Sequence, residues 1–248
     1  MLLPDIPSHS PYLHYANQTL EWLPMDTQEL FNTHVKSKKD LLLEHGWMDR
    51  KFTYQFNQHG FRADEFSDEE GIIFLGCSHT IGIGLPYEYT WPYLVSKMLR
   101  KQCYNLAIGG GSNDLAFRMA YNYIPKLKPK LVIFLITYNS RLEVLGKGRE
   151  VLQFFGPKSS PFTNDKFYET WLMNEGNLNA NLAKNLLAIE NICSANNVKL
   201  ITIDQNKMPT LDMARDLAHR GIKSNFEFAK IVLKDYMSGE GSENQTRE

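Results

Sequence analysis

The stretch "GIIFLGCSHTIGIGL", Gly71 to Leu85, decides how the chain is read. Its first half is a continuous apolar run, Ile72 to Leu75, of the kind that forms a strand buried on both faces. Its second half gives way to small and polar residues among Gly76, Gly82 and Gly84, the signature of a turn. Serine favours a helix N-cap, which gives Ser78 a structural use at this point. A strand-to-helix turn also presents a hydroxyl at the edge of a sheet, which gives Ser78 a chemical use. The remainder of the chain decides between these uses.

Outward from that stretch, strands and helices alternate. "YTWPYLVSKMLRK" (89–101) has helical spacing with Pro92 near its first turn, where proline is tolerated. "CYNLAI" (103–108) is a second strand, and "NDLAFRMAYNYI" (113–124) a helix expected to end before Pro125. "KLVIFLIT" (130–137) is a third strand, "NLAKNLLAIENICSANN" (181–197) a helix by its Leu/Ile spacing, and "VKLITID" (198–204) a fourth strand. "SNFEFAKIVLKDYM" (224–237) is a last helix. Such alternation implies an α/β protein with a parallel sheet covered by helices on both faces. Between Arg141 and Asn177 the pattern lapses into a long irregular stretch whose Phe154, Phe155, Phe162, Phe167, Tyr168 and Trp171 would wall a pocket or fill a core under a loop.

The flanks differ from this middle. Residues 1–68 read as an extension packed on the main unit (69–238), with early prolines and a helix over 26–46 starting at Asp26 as N-cap and closing at Gly46. "KFTYQFNQHGFRADEF" (51–66) alternates like a short strand before a turn at His59–Gly60. The polar tail 239–248 reads as disordered.

Composition narrows the function. The chain has 248 residues, 43% hydrophobic and 22% charged, with a formal net charge of −1. Near neutrality argues against a nucleic-acid binder, and the apolar runs fall short of the ~18 residues a membrane span needs. The first residues carry neither a basic nor an apolar segment of a secretory signal, so a cytoplasmic location is expected. Three scattered cysteines make no disulfide framework, and seven histidines include no HExxH, so neither metal nor cofactor is expected. No signal for an oligomeric state is present.

In an open α/β sheet, ligands bind beyond the carboxyl ends of the strands. The residues that follow the four strands there are "GCSHT", "IGGGSND", "TYNSRLE" and "QNKMPTLDMARDLAHRG". Ser78, the glycines 109–111, Asn139, and Asp216 with His219 therefore belong on one rim. A serine hydroxyl needs a base, which His219 can be, and an acid three residues away can orient the imidazole. Asp216 is nearer than Asp212 and is expected to reach across one helical turn. Ser78 N–H, a Gly109–Gly110 N–H and the Asn139 amide can hold an oxyanion. His79 and Arg141 are candidates for contacting substrate, Glu143 for a salt bridge, and Cys77 for a buried filler or the nucleophile in place of Ser78.

These blocks resemble the SGNH (GDSL-type) hydrolases, a flavodoxin-like α/β/α family of esterases, lipases, thioesterases and carbohydrate deacetylases. Gly76-Cys77-Ser78 stands at the family's Gly-Asp-Ser, "NLAIGG" at its oxyanion glycine (Gly109), Thr137-Tyr138-Asn139-Ser140 at its Gly-x-Asn-Asp, and Asp216-Leu217-Ala218-His219 at its Asp-x-x-His. "FNQHGFRADEF" also resembles SGNH-like proteins of phages and bacteria. The resemblance spans roughly residues 52–235. It implies a three-layer α/β/α fold and a serine esterase with catalytic Ser78, Asp216 and His219, the oxyanion held by Ser78, Gly109 and Asn139, and a small-molecule or glycan ester, an O-acetyl carbohydrate first, as substrate. Cys77 and Thr137 depart from the family blocks. A literal Gly-Ser-Asn-Asp at 111–114 follows a different strand and reads as a helix cap, with Asn113 the substitute for Asn139 should that reading fail. The departures keep open a second reading, a catalytically inactive SGNH-fold binding or structural module associated with a virion or a glycan.

Overall fold

The computed structural model describes residues 5–146, 151–154 and 174–243. In chain order the strands are β1 (Thr19–Leu20), β2 (Tyr54–Gln55), β3 (Gly71–Leu75), β4 (Gln102–Asn105), β5 (Leu131–Ile136), β6 (Leu142–Leu145), β7 (Val151–Phe154) and β8 (Lys199–Asp204). The helices are α1 (Gln28–Ser37), α2 (Lys39–Glu44), α3 (Ser78–Ile81), α4 (Trp91–Met98), α5 (Asn113–Leu127), α6 (Glu175–Ala195) and α7 (Ile222–Glu243).

Strands β4, β3, β5 and β8 form a parallel sheet in that spatial order. Alternate side chains of each strand feed opposite faces, as the two-residue period requires. Ile73, Leu75, Val132 and Phe134 pack under α5 and α6 with Leu115, Met119, Ile124 and Ile189. Ile72, Phe74, Ile133 and Leu135 pack under α4 and α7 with Trp91, Val95, Phe228 and Val232. The result is the expected three-layer α/β/α arrangement. The strand order reverses between β3 and β5, and the crevice at such a reversal is where open sheets hold ligands.

Differences from the sequence expectation have physical causes. The helix over 26–46 is two helices, broken at Lys38, where φ is −140°. The break lets α2 turn Leu42 toward Trp47, Leu85 and Ala214. Its N-cap is Thr27, whose side chain accepts from Leu30 N–H, and Asp26 has a different use described below. Helix α5 runs through Pro125 to Leu127, because Tyr123 and Ile124 are buried against the sheet and packing outweighs the proline's cost. The irregular stretch after Arg141 contains the antiparallel pair β6–β7. The aromatic side chains named there, from Phe154 to Trp171, lie outside the described residues. Helix α7 continues to Glu243, and residues 244–248 also lie outside them.

The segment before β3 is packed around the turn that follows it. Leu23, Tyr54 and Phe56 meet Ile81, Ile83 and Ala107. Trp47 is 1% exposed and donates its indole N–H to Met213 O at 2.7 Å. Among the described residues no helix is long and apolar enough to cross a membrane.

Candidate active site

The turn after β3 is built for sharpness. Gly76 has φ +155°, and a Cβ there would lie 2.2 Å from Thr80 Oγ1. Ser78 then opens α3, a single turn that closes at Gly82 in the left-handed region. The backbone N–H groups of Gly82 and Ile83 both donate to Ser78 O, each at 3.1 Å. Ser78 N–H belongs to the first turn of a helix, where amides lack an intrahelical partner. Arg62 holds the turn from beneath. Its guanidinium donates to Ile81 O (3.1 Å), Gly82 O (2.7 Å) and Leu85 O (2.7 Å) and lies 4.5 Å from the Tyr54 ring centroid.

The loop between β8 and α7 docks on that turn. Arg215 N–H donates to Gly84 O at 3.0 Å, and a Cβ on Gly84 would lie 2.8 Å from Ala214 Cβ and 3.2 Å from Asp216 Oδ1. Within the loop Asp216 and His219 are paired through Oδ2 and Nδ1. Asp216 Oδ1 also accepts from Ala218 N–H (3.2 Å) and His219 N–H (3.0 Å). Both residues are buried, at 3% and 6% exposure. The spacing brings them together, though not on a helix: the loop is closed by the antiparallel bridge Met213↔Arg220, with Leu217 at φ +50°. Asp212 does not face His219. Its carboxylate accepts from Lys223 N–H (3.0 Å) and Ser224 N–H (2.9 Å), capping α7.

His79 and His219 meet edge to face, their ring centroids 5.0 Å apart. Burial, then the neighbouring His219, Arg220 and Arg141, push His79 down to about 3, so its ring is neutral. Ser78, His79, Arg141, Asp216 and His219 thus share one region at the β3–β5 reversal. Ser78 and Cys77 are fully buried as residues, and the Cys77 thiol faces Gln205 Oε1 at 3.9 Å.

Asn139 donates its amide to Asn179 Oδ1 at 2.7 Å. Asn113 is locked to Thr137, donating to its O (3.2 Å) and accepting from its N–H (3.1 Å), while Ser112 caps α5 through Leu115 N–H. Gly109 is buried, with Tyr12 Oη 2.6 Å from where its Cβ would be. Arg141 donates to Thr137 Oγ1 at 3.0 Å, and Glu143 pairs with Arg118.

Tyr12, Asp26, Tyr54 and Arg62 come from the segment before β3, and no spacing in the sequence ties them to Ser78 or His219; Asp26 reads there only as a helix cap and Tyr54 only as part of a short strand. Among the described residues no group of three His, Cys, Asp or Glu side chains is placed to hold a metal ion.

No protein-family model matches the chain, and no curated protein matches it. Solved structures do. One is TesA, at 17% identity and a TM-score of 0.36, covering 54% of this chain and 59% of that one, less than two thirds of its length. A G-D-S-L family lipolytic protein from Desulfitobacterium hafniense has 14% identity and a TM-score of 0.35, covering 71% of this chain and 73% of the other. A family two carbohydrate esterase from Clostridium thermocellum, in complex with cellohexaose, has 12% identity and a TM-score of 0.38, covering 69% and 65%. These are proteins to which the chain is similar at low identity, and any activity assigned to it has to come from the site's own geometry.

Proposed function

We propose that this protein is a serine esterase in which Ser78 is the nucleophile, His219 the base and Asp216 the residue that orients it. The observation that carries the proposal is the buried Asp216–His219 pair, on a loop docked through Arg215 N–H and Gly84 O onto the turn that begins with Ser78. With Nδ1–H directed at Asp216, the other imidazole nitrogen is left free to take a proton. Ser78 Oγ bonds to the ester carbonyl carbon as its proton passes to His219. The tetrahedral intermediate then expels the alcohol, which leaves with that proton. Water attacks the acyl-serine with His219 again as base, the acid departs, and Ser78 regains its hydrogen. Asp216 remains a carboxylate throughout.

The close approach of Tyr12 Oη to Gly109 supports a short acyl group, with a small-molecule or glycan O-acetyl ester as the first class to try. Hydrolysis of p-nitrophenyl acetate and acetylated sugars by wild type and Ser78→Ala tests the assignment. Activity confined to wild type is expected, and an active Ser78→Ala variant removes Ser78 as nucleophile.

One observation favours a second reading, a binding module without catalysis: the Asn139 amide is directed at Asn179. A fluorophosphonate probe separates the two readings, since a serine that no base activates is not labelled stoichiometrically.

A further inference from the structure

We infer that the Tyr12 hydroxyl, seated on Gly109, is the group that contacts the oxyanion of the substrate at this site. The inference rests on the esterase reading and adds to it a catalytic residue from the segment before β3.

Gly109 follows β4 on the same rim as Ser78. A Cβ placed on it would lie 2.6 Å from Tyr12 Oη and 3.8 Å from both Ile83 Cδ1 and Met25 Sδ. The space that a side chain on Gly109 would take is therefore occupied by the phenol oxygen. Ile83 ties this contact to the nucleophile, because its own N–H donates to Ser78 O. A phenol seated there has a proton to give. Burial above all pushes the Tyr12 phenol up to about 12, so it stays protonated over the working range of a histidine base.

Tyr12 is also held firmly enough to act as a fixed donor, which is the condition for electrostatic stabilisation of a developing charge. Its N–H donates to Ser10 Oγ at 3.1 Å, and Ser10 Oγ donates to Gly60 O at 2.8 Å. Gly60, at φ +72°, packs so closely that a Cβ there would lie 2.5 Å from Tyr12 O. The ring is flanked by Tyr15 and Phe56 at centroid distances of 5.5 and 6.0 Å. Arg118 anchors the preceding residues through Pro7 O (2.9 Å) and His9 O (2.8 Å). With one Asn139 N–H given to Asn179, Tyr12 adds a side-chain donor to the rim.

The experiment compares wild type, Tyr12→Phe, Gly109→Ala and the double variant on p-nitrophenyl acetate, with fluorophosphonate labelling of each and thermal unfolding as a check on folding. Tyr12→Phe keeps the ring and its packing. Its kcat should fall by about 10- to 100-fold with KM little changed, near the lower end of what one oxyanion donor is worth. Labelling of Ser78 should still go to completion at long times. Gly109→Ala should cost a similar factor by pushing the hydroxyl aside, and in the Tyr12→Phe background it should cost much less, the non-additivity expected of two groups in contact. A Tyr12→Phe variant with kcat at or above wild type, on a protein whose Ser78 labels normally, overturns the donor role. A wild type that neither labels nor hydrolyses overturns the esterase reading itself.

Discussion

Asp26 and Arg215, 189 positions apart in the chain, form a buried ion pair with Arg215 Nη2 2.6 Å from Asp26 Oδ2 and Nε 3.1 Å from Oδ1. Their side chains are 1% and 5% exposed. The guanidinium lies 4.0 Å from the ring centroids of both Trp22 and Phe52. Asp26 also accepts from the Tyr54 hydroxyl, whose oxygen accepts from Gly84 N–H at 2.8 Å. Arg215 immediately precedes Asp216. A single network therefore joins the early segment, the loop carrying Asp216 and His219, and the turn carrying Ser78.

Removing one partner leaves the other charge buried without compensation, which typically costs about 3–5 kcal/mol. Asp26→Leu and Arg215→Met should each lower the urea midpoint by a corresponding amount. The paired change Asp26→Leu with Arg215→Met should be markedly milder than the sum of the two, since no charge is stranded. Equilibrium urea unfolding of the four proteins measures this, and strict additivity would mean that the pair is not coupled in the folded protein.

Asp216→Asn separates orientation from shape. The amide oxygen can still accept from Ala218 and His219 N–H, but the group can no longer stabilise a positive imidazole. In a serine triad the corresponding change costs roughly 10⁴ in kcat, and a loss of about 10²–10⁴ is expected here with little change in unfolding midpoint. Steady-state ester hydrolysis supplies the test, and a fall of less than tenfold would remove Asp216 from the mechanism.

Gly84 is where the two halves of the site touch. Its φ of +75° is costly for any other residue, and a Cβ would be 2.8 Å from Ala214 Cβ and 3.1 Å from Arg215 N. Gly84→Ala should displace the loop bearing Asp216 and His219, so activity should fall by more than the accompanying loss of stability explains. Gly46→Ala is the control: its φ of +73° carries the same backbone strain, with nothing within 4 Å of the added Cβ. Parallel kcat and unfolding measurements on the two variants decide the matter, and equal effects on kcat would show that contact with the loop is irrelevant.

The sheet was legible because its two central strands are short apolar runs buried on both faces, so Ile72–Leu75 and Leu131–Ile136 announce themselves without help from distant residues. The Asp216–His219 pair was legible for a local reason too, since three residues of separation bring the side chains together in a tight loop as well as in a helix. Asp26 could not be read this way. Before a helix, an aspartate looks like an N-cap, and only the folded chain reveals Arg215 as its partner and Thr27 as the cap. Tyr12 was hidden similarly, its meaning fixed by a glycine almost a hundred residues away. The Asn139–Asn179 bond depends on where α6 lies, which spacing along the sequence does not specify.

His79 makes a prediction about pH. In the unfolded chain its imidazole binds a proton below about 6.5. In the folded protein it does not do so until about 3, because burial and the positive charges of its neighbours oppose it. Between those values the unfolded state binds the extra proton, so stability rises with pH across that window. The stabilising contribution is complete above about 6.5 and is lost as the solution is acidified toward 3. His79→Gln removes the titrating group while keeping a polar side chain of similar length. The difference in unfolding free energy between pH 7.5 and pH 4.5 should therefore be larger for wild type than for His79→Gln. Urea titrations at the two pH values compare them, and equal losses on acidification would mean that His79 is already protonated beside His219 in the folded protein.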